Sequence, residues 1–274
     1  MATQAATLTR PAIPSSAGVL LPAFTLWWRE IVRFYRQPGR VVGVLASPLV
    51  FWVVLGSGFG TSLRSTGGSQ QHYLDYFYPG TLILIVLFTS IFTMMSVIED
   101  RKEGFLLSVL VAPVPRTAIV LGKVLGGTTL SAVQGLIFLI FAPFAGVHLH
   151  PLQVLLVAVV VFLVSFSLTA LGFAIAWPMD SSQAFHGIVN LFLIPLWLLS
   201  GALFPLNGAS GWIRAIMHLN PLTYGVAALR WLLYPTQDNS FAVKSAMATL
   251  VLFSLVMFAL ALLMANRRTT RPAA

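Results

Sequence analysis

The chain contains the uninterrupted apolar run LQVLLVAVVVFLVSFSLTALGFAIAWPM at residues 152–179, without a single Asp, Glu, Lys or Arg. A helix needs about 20 such residues to cross the hydrocarbon core of a bilayer. Comparable uncharged runs occupy residues 41–60, 79–98, 124–147, 181–213 and 245–266. Runs of this number and length indicate a protein that crosses a membrane several times.

The composition agrees with a membrane domain. Of the 274 residues, 58% are hydrophobic and only 8% are charged, whereas soluble domains carry about 25% charged residues. The chain has no cysteine, which excludes disulfides and thiolate metal sites. The predicted spans use up most of the length, so we expect one membrane domain and no separate soluble domain.

The basic residues indicate the orientation of the chain. Twelve of the 16 Lys and Arg residues lie in three segments, residues 10–40, 101–123 and 267–271. Basic residues stay on the cytoplasmic side during insertion, so these segments and both termini are predicted inside. An even number of crossings follows. The same distribution across a membrane argues against nucleic acid as a partner, despite the net charge of +9.

The predicted fold is an all-α membrane protein with six transmembrane helices and both termini cytoplasmic. The transmembrane domain covers residues 41–266, with spans at about 41–60, 79–98, 122–147, 152–179, 184–206 and 243–266. Outside it we predict a disordered cytoplasmic tail at 1–20, an amphipathic helix at 21–37 and a cytoplasmic tail at 267–274.

The amphipathic helix has two distinct sides. Apolar residues recur at helical spacing, while an arginine stripe lies on another side. The apolar residues are Phe24, Trp27, Trp28, Ile31 and Tyr35, and the arginines are Arg29, Arg33 and Arg36. This pattern is typical of a helix lying in the cytoplasmic interface. A simple positive anchor before the first span would give the same pattern.

The densest group of charges follows the second span, in the stretch EDRKEG at residues 99–104. Residues 105–112 after it are apolar but too few to cross a bilayer. Gly104 precedes them and Pro113 and Pro115 follow them, which predicts a short helix at the cytoplasmic surface. A stop signal for membrane insertion is the alternative explanation of the charges.

Residues 205–238 are long for an outer loop and unusually apolar. Asn220 and Pro221 divide them into two pieces, each too short to span. We therefore predict an outer re-entrant helix pair before the last span. Tyr73, Tyr76 and Tyr78, which precede the second span, are expected at the outer headgroup level.

Motifs for chemistry within this chain are weak. The only fragment close to a phosphate-binding loop, Gly122-Lys123, continues with Val124 instead of Ser or Thr. ATP, if it is used, must therefore bind another polypeptide. The stretch GASG at 208–211 resembles the G-x-S-G motif of rhomboid intramembrane serine proteases, but the last span supplies no His base. A turn is the favoured interpretation, with an enzyme using Ser210 as an alternative.

Transport driven by ions usually needs titratable groups inside the spans. His186 is the one candidate in the uncharged runs, which weakens the case for an ATP-independent secondary carrier without excluding it. The hydroxyl residues of the spans, together with Gly122 and Gly126, are expected to serve helix packing.

Three stretches together resemble the ABC-2 type transporter permeases. Residues 99–104, 107–115 and 122–123 are similar to the cytoplasmic loop of that family. Residues 219–230, LNPLTYGVAALR, resemble the N-P-x-T-Y…R stretch before its final span. The similarity extends over about residues 20–268.

The resemblance implies the transmembrane subunit of an ATP-driven exporter in the bacterial cytoplasmic (inner) membrane. Such permeases work as homodimers or heterodimers with two separate ATPase subunits, which bind ATP and Mg²⁺. The chain itself would bind no cofactor or metal and would hold no catalytic residue. Its cargo would be an amphiphile, such as a drug, an antibiotic, a lipid or a lipid-linked glycan. Membrane lipid would be its other partner.

The resemblance also implies three groups of site residues. The ATPase-coupling group comprises Glu99, Asp100, Arg101, Lys102, Glu103, Gly104, Phe105 and Arg116. The connecting helix contributes Trp27, Trp28, Arg29, Arg33 and Arg36. The substrate path, between the second and fifth spans of the two protomers, would be lined by Phe88, Phe92, Thr93, Asn190 and Trp197.

Overall fold

Helices make up all the regular secondary structure of the described residues, which in this computed structural model are 18–64, 73–147, 149–235 and 242–267. The helices are α1 (Leu20–Tyr35), α2 (Pro38–Arg64), α3 (Tyr73–Thr93), α4 (Met95–Lys102), α5 (Phe105–Val111), α6 (Arg116–Phe138), α7 (Pro151–Ala176), α8 (Ser182–Trp197), α9 (Gly211–Leu219), α10 (Pro221–Leu233) and α11 (Val243–Asn266). The predicted all-α class is confirmed. Most of both predicted tails lies outside the described residues.

Five helical segments are long and apolar enough to cross a membrane. They are Tyr73–Lys102, Arg116–Ala145, Pro151–Ala176, Ser182–Ala202 and Val243–Asn266. The first predicted span corresponds to α2, which contains Pro48 and whose apolar part, as far as it is described, is Ala46–Gly58. The count of six and the side of the termini remain predictions.

Helix α3 lies at the centre of the bundle and packs against α2, α6, α7 and α10. From Phe77 onward most of its residues are buried, and apolar residues occur on every side, as a surrounded helix requires. Hydroxyl groups join it to its neighbours. The Ser90 hydroxyl donates to Ser131 Oγ of α6 at 2.8 Å, and Thr89 Oγ1 lies 2.5 Å from Gln134 Oε1. These polar residues therefore serve helix packing, as predicted.

Glycines allow α1 to lie directly on α6. A Cβ atom added to Gly122 would lie 2.7 Å from the Ala23 carbonyl oxygen, and one on Gly126 would lie 2.8 Å from Glu30 Cβ. Only hydrogen fits at such contacts. The G-x-x-x-G pair thus sets the approach of α1, which buries Leu26 and Glu30 against α6.

The predicted apolar side of α1 is left uncovered. Phe24, Trp28 and Tyr35 each expose more than half of their surface. Trp27 and Ile31 are half-buried, and Trp27 Nε1 donates to Thr129 Oγ1 of α6 at 3.0 Å. This exposed side is available to lipid or to a partner protein.

The regular geometry of α8 ends in a π-type turn at Leu198–Ala202. Gly201 has a φ of +81°, in the left-handed region that glycine adopts without strain. The turn frees backbone carbonyl groups, which in lipid would each cost several kcal/mol unless they were paired. At the same level, Gly80 of α3 approaches so closely that a Cβ would lie 2.5 Å from Ala202 Cβ.

Side chains from other helices pair with these carbonyl groups. Tyr76 Oη and Arg230 Nη2 both donate to the Gly201 oxygen, at 3.0 and 3.1 Å. Tyr73 Oη donates to the Leu203 oxygen at 3.0 Å. In the same way, Tyr78 Oη donates to the Phe138 oxygen at the end of α6, at 3.0 Å. The hydroxyls of the three tyrosines thus bind backbone inside the protein, while their position at the outer headgroup level stays a prediction.

The segment after this turn forms a helix pair, α9 and α10, separated at Asn220 and Pro221 as the sequence predicts. Asn220 Oδ1 accepts from the Leu222 N–H at 3.0 Å and caps α10. Its Nδ2 donates to the Leu196 oxygen of α8 at 2.5 Å. One side chain thus joins the pair to α8, while the re-entrant placement remains a prediction.

Candidate functional site at the junction of α1, α4 and α6

The short predicted helix after the charged stretch is present as α5. Gly104 has a φ of +78°, which turns the chain between α4 and α5. Pro113 and Pro115 follow its end, and the next helix begins directly after them. Leu107 and Val111 project from α5 with 61% and 88% of their surface exposed.

Asp100 of α4 is fully buried and lies between two arginines of α1. Arg29 binds its carboxylate with both terminal nitrogens, at 2.9 and 2.7 Å. Arg33 Nη1 donates to Asp100 Oδ1 at 2.7 Å, and its Nη2 donates to Glu99 Oε2 at 2.8 Å. Paired arginine contacts of this kind are strong and directional. They fix α4 against α1.

Lys123 of α6 is the third member of this junction and is only 1% exposed. Its Nζ donates to Glu30 Oε1 at 2.6 Å, to Ser96 Oγ at 3.1 Å and to Asp100 Oδ2. These three contacts use all three protons of the ammonium group. Ser96 in turn donates to Glu30 Oε2 at 2.7 Å.

The buried part of the junction is electrically balanced, with the exposed Glu103 carboxylate at its edge, 3.5 Å from Arg33. Glu30, Glu99 and Asp100 supply three negative charges, opposite the cations of Arg29, Arg33 and Lys123. We call these six residues, with Ser96, the charge cluster. Burial alone would lower the pKa of Arg29, but the hydrogen bond and charge of Asp100 outweigh burial, so that this pKa is raised. Arg29 stays charged at all relevant pH values.

Two further arginines of the predicted coupling group cap helix ends. Arg101 donates to the Trp177 and Met179 oxygens at the end of α7 and pairs with Asp180 at 3.1 Å. Arg116 donates to the Ala265 oxygen of α11 at 2.8 Å. A cation at a helix C-terminus interacts favourably with the exposed carbonyl groups there.

The predicted coupling residues therefore divide into two sets. Asp100 is buried within the chain, so its carboxylate is not presented to a partner, and Arg101 and Arg116 each bind backbone oxygens of another helix. Lys102 and Glu103 are exposed. Phe105 packs under Arg29, whose Cζ lies 3.7 Å from the ring centroid. Contact of this group with an ATPase stays a prediction.

Three members of the charge cluster, Glu30, Ser96 and Lys123, are absent from the sites predicted from sequence. A signal for Glu30 was available, because it continues the spacing of Ala23 and Leu26 along one side of α1. An acidic residue in that buried row needs a partner. Nothing in the sequence alone named Lys123 as that partner.

The predicted substrate-path residues do not all lie at one site. Phe88 and Phe92 stack at 5.5 Å and line a mostly apolar cavity of about 320 Å³ with Met95, Pro48 and His186. The cavity lies between α2, the α3–α4 segment and α8. The His186 ring lies 5.1 Å from that of Phe92.

Of the other predicted path residues, only Asn190 is exposed, one turn beyond His186 on α8. Thr93 and Trp197 are buried in the bundle. Thr93 Oγ1 donates to the Ser90 oxygen at 2.8 Å, and Trp197 Nε1 to the Gly80 oxygen at 2.8 Å. Trp197 thus joins α8 to α3, whereas the Thr93 hydrogen bond lies within α3.

Ser210 precedes the first residue of α9 and is exposed. His218 lies eight residues later on the same helix, about 12 Å along its axis at 1.5 Å per residue. A serine nucleophile needs its base within hydrogen-bond reach. The geometry favours the turn interpretation of GASG.

The chain matches the family model described as ABC-2 type transporter over residues 23–234. The chain belongs to the ABC-2 type transporter family. The match includes the charge cluster, the cavity and the helix pair.

Its relatives include proteins with permease names. The putative transport permease ycf38 of Cyanophora paradoxa is 27% identical over 250 residues, which are 86% of each chain. The daunorubicin resistance ABC transporter permease protein DrrB1 of Streptomyces coeruleorubidus is 25% identical over 81% of this chain and 78% of its own. The inner membrane transport permease YadH of Escherichia coli K12 is 25% identical over 76% and 80%.

Family membership makes this ABC-2 permease a transmembrane subunit of an ABC transporter and implies ABC ATPase subunits as partners. Its relatives are transport permeases and not enzymes, which agrees with a transport subunit that does no catalysis. Together with the long apolar helices, the family supports the predicted multi-pass location in the inner membrane.

Proposed function

We propose that this ABC-2 permease is the membrane part of an exporter in the bacterial cytoplasmic membrane. Two copies, or one copy and a related permease, would assemble with two ATPase subunits, which bind ATP and Mg²⁺. The complex would move an amphiphile out of the cytoplasm or inner leaflet. The permease binds no cofactor of its own in this proposal.

The observation that carries the proposal is the surface of α5. This short helix exposes Leu107 and Val111, and it follows α4, which the charge cluster joins to α1 and α6. An exposed apolar helix on a firmly held support suits docking by a soluble partner. A push on α5 would then be passed to the helices of the bundle.

The cavity lined by Phe88 and Phe92 supports an amphiphilic cargo. Its lining is mostly apolar, while His186 in its wall offers a polar group to an amphiphile. Apolar pockets with few polar groups bind ligands of this kind. Resistance to daunorubicin, in the name of one relative, fits such a cargo.

Co-purification tests the partner. The tagged permease, expressed in its native host, should retain an ATPase, and Leu107→Glu with Val111→Glu should release it. Gln183→Glu adds a charge at another exposed position and serves as the control. Retention of the ATPase by the double variant would argue against docking on α5.

Reconstitution tests the function itself. Liposomes that hold the complex should export a rhodamine dye, or move a headgroup-labelled fluorescent phospholipid between leaflets, only when ATP is present. Movement by the permease alone would instead favour an ATP-independent carrier and overturn the proposal.

A further inference from the structure

Helices α3 and α4 are separated by a short turn at Met94. Regular helix ends at Thr93 and resumes at Met95, with Met94 in a turn. Helix α4 has only eight residues and continues into α5 through the left-handed Gly104. A force on α5 could therefore bend the chain at Met94 without moving α3, unless α4 is held by another part of the bundle.

The charge cluster provides that hold. Asp100 binds α1 through Arg29 and Arg33, and it binds α6 through Lys123. Contacts also run from α1 to the start of α5, where Arg29 covers the Phe105 ring and Arg33 lies 3.5 Å from Glu103 Oε1. Helices α1, α4 and α5 thus form one unit, in which α1 packs directly on α6 and Lys123 links α4 to α6.

Packing alone does not require a charged junction. Gly122 and Gly126 already bring α1 and α6 together by close backbone contact. Buried ion pairs are often no more stabilising than apolar residues of similar volume, and in some proteins they instead fix the relative position of the elements that carry them. The position of Lys123 between Glu30 and Asp100 therefore points to a role in relative movement.

We propose that Lys123 is a positioning residue of the transport cycle, which makes α6 follow α1, α4 and α5 as one rigid body. This inference rests on the proposed function. It adds the side chain through which a displacement of α5 by the ATPase would be transmitted to the membrane helices. Without Lys123, α4 would lose its ion pair with α6, so that α4 and α5 could shift against α6 and ATP would be hydrolysed with less transport.

The decisive variant is Glu30→Gln combined with Lys123→Met. It removes one charge of each sign, so the cluster remains neutral, and it leaves the contacts of Asp100 with Arg29 and Arg33. We expect the complex to assemble and to hydrolyse ATP, while rhodamine export per ATP falls roughly tenfold, within the range of known couplings between sites. Lys123→Arg, which keeps the cation, should retain most of the export.

Gln134→Met is the matched control. It replaces another buried polar residue of α6 that contacts Thr89 and lies three turns away from the cluster, so export per ATP should not change. Normal export per ATP in the Glu30→Gln, Lys123→Met variant would overturn the inference and leave the proposed function intact. Failure of the unaltered permease to retain an ATPase would instead overturn the proposed function.

A distance measurement covers the case in which the double variant does not fold. The chain has no cysteine, so spin labels can be placed at Ser108→Cys on α5 and Ile137→Cys near the end of α6, both exposed. In the otherwise unaltered complex this distance should stay constant between the ATP-free and vanadate-trapped states. A change of about one helical turn, roughly 5 Å, would contradict the rigid body.

Discussion

The guanidinium carbon of Arg230 lies 4.2 Å from the ring centroid of Tyr76, and both side chains donate to the carbonyl oxygen of Gly201. This contact joins α10 and α3 to the turn that ends α8. It combines a cation–π interaction with two hydrogen bonds to one acceptor. The outer helix pair is thereby attached to the centre of the bundle at the point where α8 loses its regular geometry.

Arg230→Gln should destabilise the protein by about 1.5–3 kcal/mol, the usual contribution of a hydrogen bond to a charged group. The Gly201 oxygen would keep only Tyr76, and the cation–π contact would be lost. Thermal unfolding of the purified permease in detergent measures the effect. Arg214→Gln is the control, because Arg214 is exposed and its contacts to backbone oxygens are 3.3 and 3.5 Å long. Equal shifts for both variants would rule out the special role of Arg230.

Gly80→Ala should force α3 away from the turn that follows α8. The new Cβ would lie 2.5 Å from Ala202 Cβ and 2.8 Å from its Cα, an overlap that costs about 1–3 kcal/mol. The Trp197 hydrogen bond to the Gly80 oxygen would lengthen. Unfolding midpoints measure the loss.

Gly187→Ala is the matched control for that substitution. It also lies within a helix, but nothing comes within 4 Å of its added Cβ, so a stability gain of about 0.5–1 kcal/mol is expected. A loss of stability at Gly187 comparable to that at Gly80 would contradict the steric explanation.

Arg116→Gln should loosen the end of α11. The variant loses the hydrogen bond to the Ala265 oxygen and the cation at this helix C-terminus, together about 1–2 kcal/mol. Amide hydrogen exchange in the last turn of α11 should accelerate, while exchange in α7 stays unchanged. The exposed Arg36 offers a control in Arg36→Gln. Unchanged exchange in α11 after Arg116→Gln would exclude this anchoring role.

Phe92→Ala should raise the apparent KM for an amphiphilic cargo roughly three- to tenfold, because a stacked aromatic surface contributes about 0.5–1.5 kcal/mol beyond its buried area. Rhodamine export from liposomes measures it. Phe162→Ala breaks a similar stack, with Phe166 at 6.2 Å, on an exposed side of α7. A KM that rises equally in both variants would show that the cavity does not bind the dye.

Local patterns in the sequence predicted much of this architecture without any knowledge of tertiary contacts. Long uncharged runs predicted the five described helical segments that are long and apolar enough to cross a membrane. This is possible because length and polarity alone decide whether a helix suits the bilayer. Gly104, Pro113 and Pro115 delimited α5, and Asn220 with Pro221 divided the helix pair, because these residues restrict the backbone wherever they occur. The family resemblance, which rested on the same stretches, was confirmed.

Only the tertiary structure decided which charges meet. The sequence placed the charges at residues 99–104 and an arginine row on α1, but Glu30 and Lys123 lie 93 positions apart and become partners only through the packing of α1 on α6. Trp197 and the three tyrosines carried polar groups with no local partner in the sequence, and the fold supplied backbone oxygens for each. The bilayer selects single helices by composition, whereas pairing between helices depends on geometry that no single segment contains.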